Sequence, residues 1–253
     1  MNFLRLIRSE SYTRGTTLSV LFNMISKGIL FVMTIIIARY FGSDIKTDIY
    51  FFVFGVMLLF SGFINNIDAA VLIPESMRLR EQEGTEAADN FLNWFLYLYT
   101  GIGVVFSVVM FFFGTEIFGV ISRFSREDIL QYRGYFQAGS LFFIFHLLTN
   151  YLNTVLMSLR FFSVPMLIST VKSAAAIAGI FFLKANYDVF SVFLAGLLSY
   201  ALNLVILLWV LKRFAGWRFR FSKPSKSHTT RSKDRRPMSA LRLSGRHGGL
   251  RVP

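Results

Sequence analysis

Residues 16–41 read TTLSVLFNMISKGILFVMTIIIARYF, and this stretch decides the fold. Lys27 and Arg39 are its only charged residues, and a transmembrane helix needs about 20 predominantly apolar residues. A basic N-terminus precedes the stretch, but the run is too long for the apolar region of a signal peptide and has no small-residue cleavage site before its end. We therefore predict a first membrane span that stays in the protein.

The composition of the whole chain agrees with this interpretation. Of 253 residues, 54% are hydrophobic and 16% are charged, whereas a soluble domain has roughly 25% charged residues. Six windows are long and apolar enough to span a bilayer, namely 16–41, 47–73, 91–113, 134–159, 165–183 and 189–211. The sequence predicts an all-α membrane protein whose residues 16–211 form one lobe of about six transmembrane helices, and it excludes a soluble enzyme.

The formal net charge of +13 belongs to the C-terminal tail. Residues 1–211 contain 14 Lys and Arg against 13 Asp and Glu, whereas residues 212–253 contain 13 basic residues and one acid. We expect the tail to be disordered and to contact membrane lipids, not nucleic acid. Lys and Arg near the span ends favour a cytoplasmic N-terminus, residues 1–15, and a cytoplasmic C-terminus in the inner membrane of a bacterial cell.

The chain offers no conventional catalytic or metal-binding motif. It has no cysteine, and two of its three histidines lie in the tail. No cluster of histidine and acidic residues has the spacing of metal ligands. We expect neither an enzyme nor a cofactor or metal site.

Polar residues recur along one side of several predicted spans. A Lys or Asp at the centre of a span costs roughly 2.5–3.5 kcal/mol on insertion scales, so such residues usually face protein or water. The alternative is ordinary hydrogen bonding between helices, worth about 0.6 kcal/mol for each bond. We predict that the stripes face a shared hydrated groove, as in a transporter. The residues concerned are Asn23, Lys27, Asn65, Asp68, His146, Asn150 and Lys172.

Two segments carry a family resemblance. Residues 26–42, with Lys27 early and Ala-Arg-x-Phe-Gly at the exit, are followed by Thr-Asp-x-Tyr-Phe at residues 47–51. The second span leaves through Leu-Ile-Pro, residues 72–74, into a charged segment. This pattern resembles the MurJ/MviN-type lipid II flippases of the multidrug/oligosaccharidyl-lipid/polysaccharide exporter superfamily.

The resemblance implies transport of a polyprenyl-pyrophosphate-linked saccharide, either a lipid II-like peptidoglycan precursor or a polysaccharide repeat unit. It also implies that Lys27 is a cavity-facing cation and that Arg39 and Asp48 are motif residues at the turn. Family members have about 14 spans in two six-helix lobes with additional helices. This chain would therefore be the N-terminal lobe, through truncation or a frameshift, and would need a second lobe or a homo-oligomer. The predicted substrate-binding residues are Asn23, Lys27, Arg39, Asp48, Asn65, Asp68, His146, Asn150 and Lys172.

Two departures from the family pattern leave the saccharide open. Met33 and Thr34 stand where the family usually has an Arg–Asp pair, and Ser61 and Gly62 stand where it usually has two arginines. Two alternative functions also remain at this stage. One is a cation-coupled multidrug exporter, for which Asp68 would supply the carboxylate, and the other is a membrane fragment that transports nothing.

Overall fold

The computed structural model describes residues 12–217, with the side chains of residues 12–16 and 65 left out. Within this part, every regular element is a helix and six helices are long and apolar enough to cross a membrane, which confirms the predicted fold class. In chain order the α-helices are α1 (Tyr12–Phe41), α2 (Ile45–Ile67), α3 (Ile73–Gln82), α4 (Thr85–Ile121), α5 (Arg126–Gln131), α6 (Arg133–Ser158), α7 (Ser163–Tyr187) and α8 (Phe190–Val210), and a π-helical turn (Leu211–Ala215) continues α8. The predicted cytoplasmic N-terminus and basic tail lie almost wholly outside the described residues.

The helices are longer than hydropathy alone predicts. The second span, expected to end at residue 73, continues from α2 through a π-helical turn (Asp68–Leu72) directly into α3. The third, expected at 91–113, runs from residue 85 to residue 121 as α4. The expected polar segment at 74–90 is therefore mostly helical, because its Glu, Arg, Leu, Met and Gln residues have high intrinsic helix propensity.

Two salt bridges define the two ends of the bundle. Lys46 at the start of α2 contacts Asp188 at the end of α7, with Nζ 2.7 Å from Oδ2. Arg160 after α6 contacts Glu81 in α3 at 3.4 Å. We call these ends the Lys46 end and the Glu81 end. The six long helices alternate in direction between them, as the short turns predict.

Helix α6 lies at the centre of the lobe, where it packs against α4, α8 and α2. Small residues allow close contact at these interfaces. A Cβ added at Gly139 of α6 would lie 2.3 Å from Cγ1 of Val53 in α2. Likewise, a Cβ at Gly179 of α7 would lie 2.9 Å from Cβ of Ala195 in α8. These contacts fix the relative positions of the helices that carry the polar residues.

Helix α1 lies at the side of the lobe and packs mainly on α7. Its contacts with α2 are few, and it is buried at Met33 and Ile37, close to the turn that joins the two helices. Gly42 in that turn has φ 65°, a left-handed conformation that glycine adopts without strain. Most of the remaining surface of α1 is exposed within the described lobe.

Candidate functional site

Three polar side chains meet in the middle of the membrane-spanning region, from three different helices. His146 lies about 20 Å from either end of α6, at 1.5 Å for each residue. Its Nδ1 is 2.7 Å from the hydroxyl of Tyr200 in α8, and both residues are buried. The ammonium of Lys172 in α7 lies 4.0 Å from the centroid of the Tyr200 ring, a cation–π contact.

The partners of His146 assign its tautomer. Nε2 is 3.1 Å from the side-chain nitrogen of Asn150, one turn further along α6. With the amide nitrogen of Asn150 directed at Nε2, Nε2 accepts this hydrogen bond and Nδ1 carries the proton that it donates to Tyr200. This pattern of hydrogen bonds is that of a neutral imidazole.

A second polar cluster surrounds Asp68, nearer the Glu81 end. Asp68 is 1% exposed and begins the π-helical turn between α2 and α3. Tyr99 of α4 donates its hydroxyl hydrogen to Oδ1 of Asp68. The hydroxyl oxygen of Thr154 in α6 lies 3.2 Å from Oδ2. Among the described residues, no Lys, Arg or His forms an ion pair with Asp68.

One face of α6 joins the two clusters. His146, Asn150 and Thr154 are spaced by four residues and so lie on one side of the helix. The hydroxyl oxygen of Thr154 is also 3.2 Å from the carbonyl oxygen of Asn150. A polar path therefore extends through the lobe from mid-depth towards the Glu81 end over about 12 Å, the rise of eight helical residues.

The predicted residues on α1 and at the turn lie on the surface of the described lobe. Asn23 and Lys27 are exposed on α1, and Arg39 and Asp48 are exposed near the Lys46 end. Lys27 is about 21 Å from the end of α1, at 1.5 Å for each residue, and so lies at mid-depth. Helices α1 and α7 are parallel neighbours, so Lys27 and Lys172 lie at a similar level.

The described lobe places the predicted residues in two environments. Asp68 and His146 do not line an open surface with Lys27, because each lies inside the bundle with its polar atoms bonded to neighbouring helices. The side chain of the predicted residue Asn65 lies outside the described part of the structure. The structure does bring Asp68, Asn150, His146 and Lys172 into connected contacts, as the stripes on α6 and α7 indicate.

Three residues of these clusters were absent from the predicted site: Tyr99, Thr154 and Tyr200. Thr154 and Tyr200 lie on the polar stripes of their helices, and this position is the sequence feature from which their place in the site could be predicted. Tyr99 had none, because a single tyrosine in a span is as typical of the membrane interface as of a buried hydrogen bond.

The polar side chains of the two clusters are the candidate functional groups of the described lobe. No group of three or more His, Cys, Asp or Glu side chains could hold a metal ion within residues 12–217. The lobe instead supplies a buried carboxyl group held by two hydroxyls, a neutral imidazole and two lysines at mid-depth.

Comparison with known proteins gives one match. The family model described as "Lipid II flippase MurJ" matches residues 37–230, about three quarters of the chain. No curated protein and no solved structure matches the chain. Six helices of the described lobe are able to span a bilayer. The matched residues contain the second to the sixth of these helices and the end of the first. The chain is therefore a multi-pass protein of the bacterial inner membrane and belongs to the lipid II flippase MurJ family.

Proposed function

We propose that this chain forms one lobe of a flippase that carries a polyprenyl-pyrophosphate-linked saccharide, such as lipid II, across the inner membrane. The observation that carries the proposal is the position of Lys27, at mid-depth on an exposed face of α1. No described residue forms an ion pair with Lys27. A charge there that faced hydrocarbon would cost roughly 2.5–3.5 kcal/mol on insertion scales.

A pyrophosphate group would give Lys27 the partner that it lacks. The group must pass from one interface to the other without entering hydrocarbon, and a lysine binds phosphate as a point charge. Asn23, one turn before Lys27 on the same side of α1, adds an amide that can donate to phosphate or sugar oxygens. Lys172 at the same level adds positive potential, although its own ammonium rests on Tyr200.

We propose that a second helical lobe, or a second copy of this lobe, packs over the exposed polar side of α1. Rocking of one lobe against the other around a mid-depth site would give alternating access. We propose cytoplasmic N- and C-termini, which place the Glu81 end on the cytoplasmic side. No covalent bond changes in this process, so we propose transport and not catalysis.

The proposal is favoured over a cation-coupled multidrug exporter by the state of Asp68. A drug cation needs an accessible carboxylate, but Asp68 is 1% exposed and both of its oxygens face hydroxyls. Asp48, near the turn between α1 and α2, is exposed but lies at the Lys46 end, far from mid-depth, and so does not supply this carboxylate either.

Binding of lipid II to the purified chain in detergent, measured by native mass spectrometry, tests the role of Lys27. A charge-assisted hydrogen bond is worth about 1.5–3 kcal/mol, so Lys27→Ala should weaken binding by about 10- to 150-fold. Lys27→Arg should retain most of the affinity. The matched control is Lys212→Ala, which removes an exposed lysine at the Glu81 end, and it should leave the affinity unchanged.

Equal affinities of wild type and Lys27→Ala would reject the proposed phosphate site. Polyprenol without pyrophosphate should bind equally to both. In vesicles that each hold at most one copy of the chain, fluorescent lipid II should not be translocated, and translocation by single copies would contradict the two-lobe arrangement.

A further inference from the structure

The hydroxyl of Thr154 has one hydrogen and two acceptor-type neighbours. Its oxygen is 3.2 Å from Oδ2 of Asp68 and 3.2 Å from the carbonyl oxygen of Asn150. With a charged Asp68 the two acceptors would share the one hydroxyl hydrogen, whereas a second hydrogen between Thr154 and Asp68 gives each contact a hydrogen of its own.

We propose that Asp68 is a proton-binding site and that it carries a proton in this conformation. The proton resides on Oδ2 and is donated to the oxygen of Thr154. Thr154 then donates its own hydrogen to the Asn150 carbonyl, and Tyr99 donates to Oδ1. Every hydrogen in this arrangement has one acceptor, and the Asp68 carboxyl group is neutral.

The surroundings of Asp68 favour a proton over a metal cation. The titratable groups that face Asp68 from the neighbouring helices are Tyr99 of α4 and Tyr151 of α6, whose rings lie 5.1 Å apart. The described residues place no basic side chain against the carboxyl group. Two hydroxyls are too few ligands for Na⁺, whereas they match the donor and acceptor of a carboxylic acid.

Loss of the proton would change the hydrogen bonds of α6. The hydroxyl of Thr154 would turn from the Asn150 carbonyl to the Asp68 carboxylate. Asn150 holds Nε2 of His146 through its side chain, so the change begins one turn from the mid-depth cluster. Asp68 also begins a π-helical turn, an irregularity frequent at functional sites. A role of this proton in driving transport, as the coupling ion, rests on the proposed function, whereas the presence of the proton on Asp68 does not.

Infrared spectroscopy of the purified full chain tests the site without lipid II. A protonated carboxyl group has a C=O stretching band that a carboxylate lacks. At neutral pH exposed Asp and Glu are ionised, so the wild type should show such a band from Asp68. The band should be absent in Asp68→Asn and kept in Asp48→Asn, the matched control at an exposed carboxylate. A wild type without the band, or its loss in Asp48→Asn, would overturn the site.

The variants are chosen to keep the fold. In Asp68→Asn the amide oxygen can accept from Tyr99 and the amide nitrogen can donate to Thr154, so this variant mimics the protonated state. If Asp68→Asn does not give monodisperse protein, Thr154→Val provides the test, because it removes the acceptor and should shift the band, whereas Thr154→Ser should not. An unshifted band in Thr154→Val would overturn the arrangement, as would loss of the wild-type band when Na⁺ is raised at constant pH.

A separate measurement tests the coupling role. Addition of lipid II to weakly buffered wild-type protein should change the bound protons, read with an indicator dye, and Asp68→Asn should show no change. An unchanged dye signal in wild type that binds lipid II would remove the coupling role while leaving the infrared band, and hence the site, intact.

Discussion

Replacing Gly179 by alanine tests whether close packing of α7 on α8 holds the mid-depth cluster. Gly179 lies seven residues after Lys172, two turns along the same face of α7. An alanine Cβ would lie 2.9 Å from Cβ and 3.3 Å from Cα of Ala195. The backbone of α8 cannot rotate away from this contact, so the two helices must separate.

The expected magnitude follows from a matched variant. Gly101 lies inside α4 and has no atom within 4 Å of an added Cβ. Both changes gain about 0.8–1.0 kcal/mol of helix propensity, but only Gly179→Ala adds overpacking of about 1–3 kcal/mol. Gly179→Ala should therefore be less stable than Gly101→Ala by about 1–3 kcal/mol, because the propensity gain cancels.

The free energies of unfolding would be measured by SDS titration in mixed micelles, followed by circular dichroism. Gly179→Ala should also weaken the effect of a Lys172→Ala change made in the same background, since the ammonium would already have moved from Tyr200. Equal stability of the two glycine variants would refute the close contact between α7 and α8.

Three further predictions address the remaining contacts. Tyr200→Phe keeps the ring under Lys172 but leaves the Nδ1 hydrogen of His146 without its acceptor. The free energy of unfolding, measured by thermal unfolding, should therefore fall by about 1–3 kcal/mol. An unchanged stability would argue against the neutral tautomer. Lys46→Ala should cost no more than about 1 kcal/mol, because its pair with Asp188 is solvent-exposed, and a larger loss would mean that the pair organises the Lys46 end. Reporter fusions after residues 46 and 184 should lie on one side of the membrane, and fusions after residue 83 on the other; a shared side for residues 46 and 83 would contradict the alternation of the helices.

The sequence predicts the spans well because hydropathy reports the energy of placing a helix in lipid. It predicts their ends poorly, as α3 and the extended α4 show. A helix can leave the membrane without ending, and charged residues such as Glu75 and Arg78 stabilise it there through neighbouring pairs.

The polar residues show a similar limit. Helical spacing correctly indicates that His146, Asn150 and Thr154 share a face. Spacing does not report which helix packs against that face, so it cannot separate the buried Asp68 from the exposed Lys27. The partner Tyr99 follows Asp68 by 31 positions in the chain, and only the packing of α4 brings the two together.

Cysteine labelling on α1 tests most directly whether Lys27 faces a hydrated path. The chain has no cysteine, so single cysteines can be placed without background labelling. Positions 23 and 27 should react with a membrane-impermeant thiol reagent. Positions 25 and 32, which are also exposed in the described lobe but lie on the other side of α1, should be protected by hydrocarbon. Equal reactivity on both sides of α1, or no reactivity at positions 23 and 27, would contradict the account.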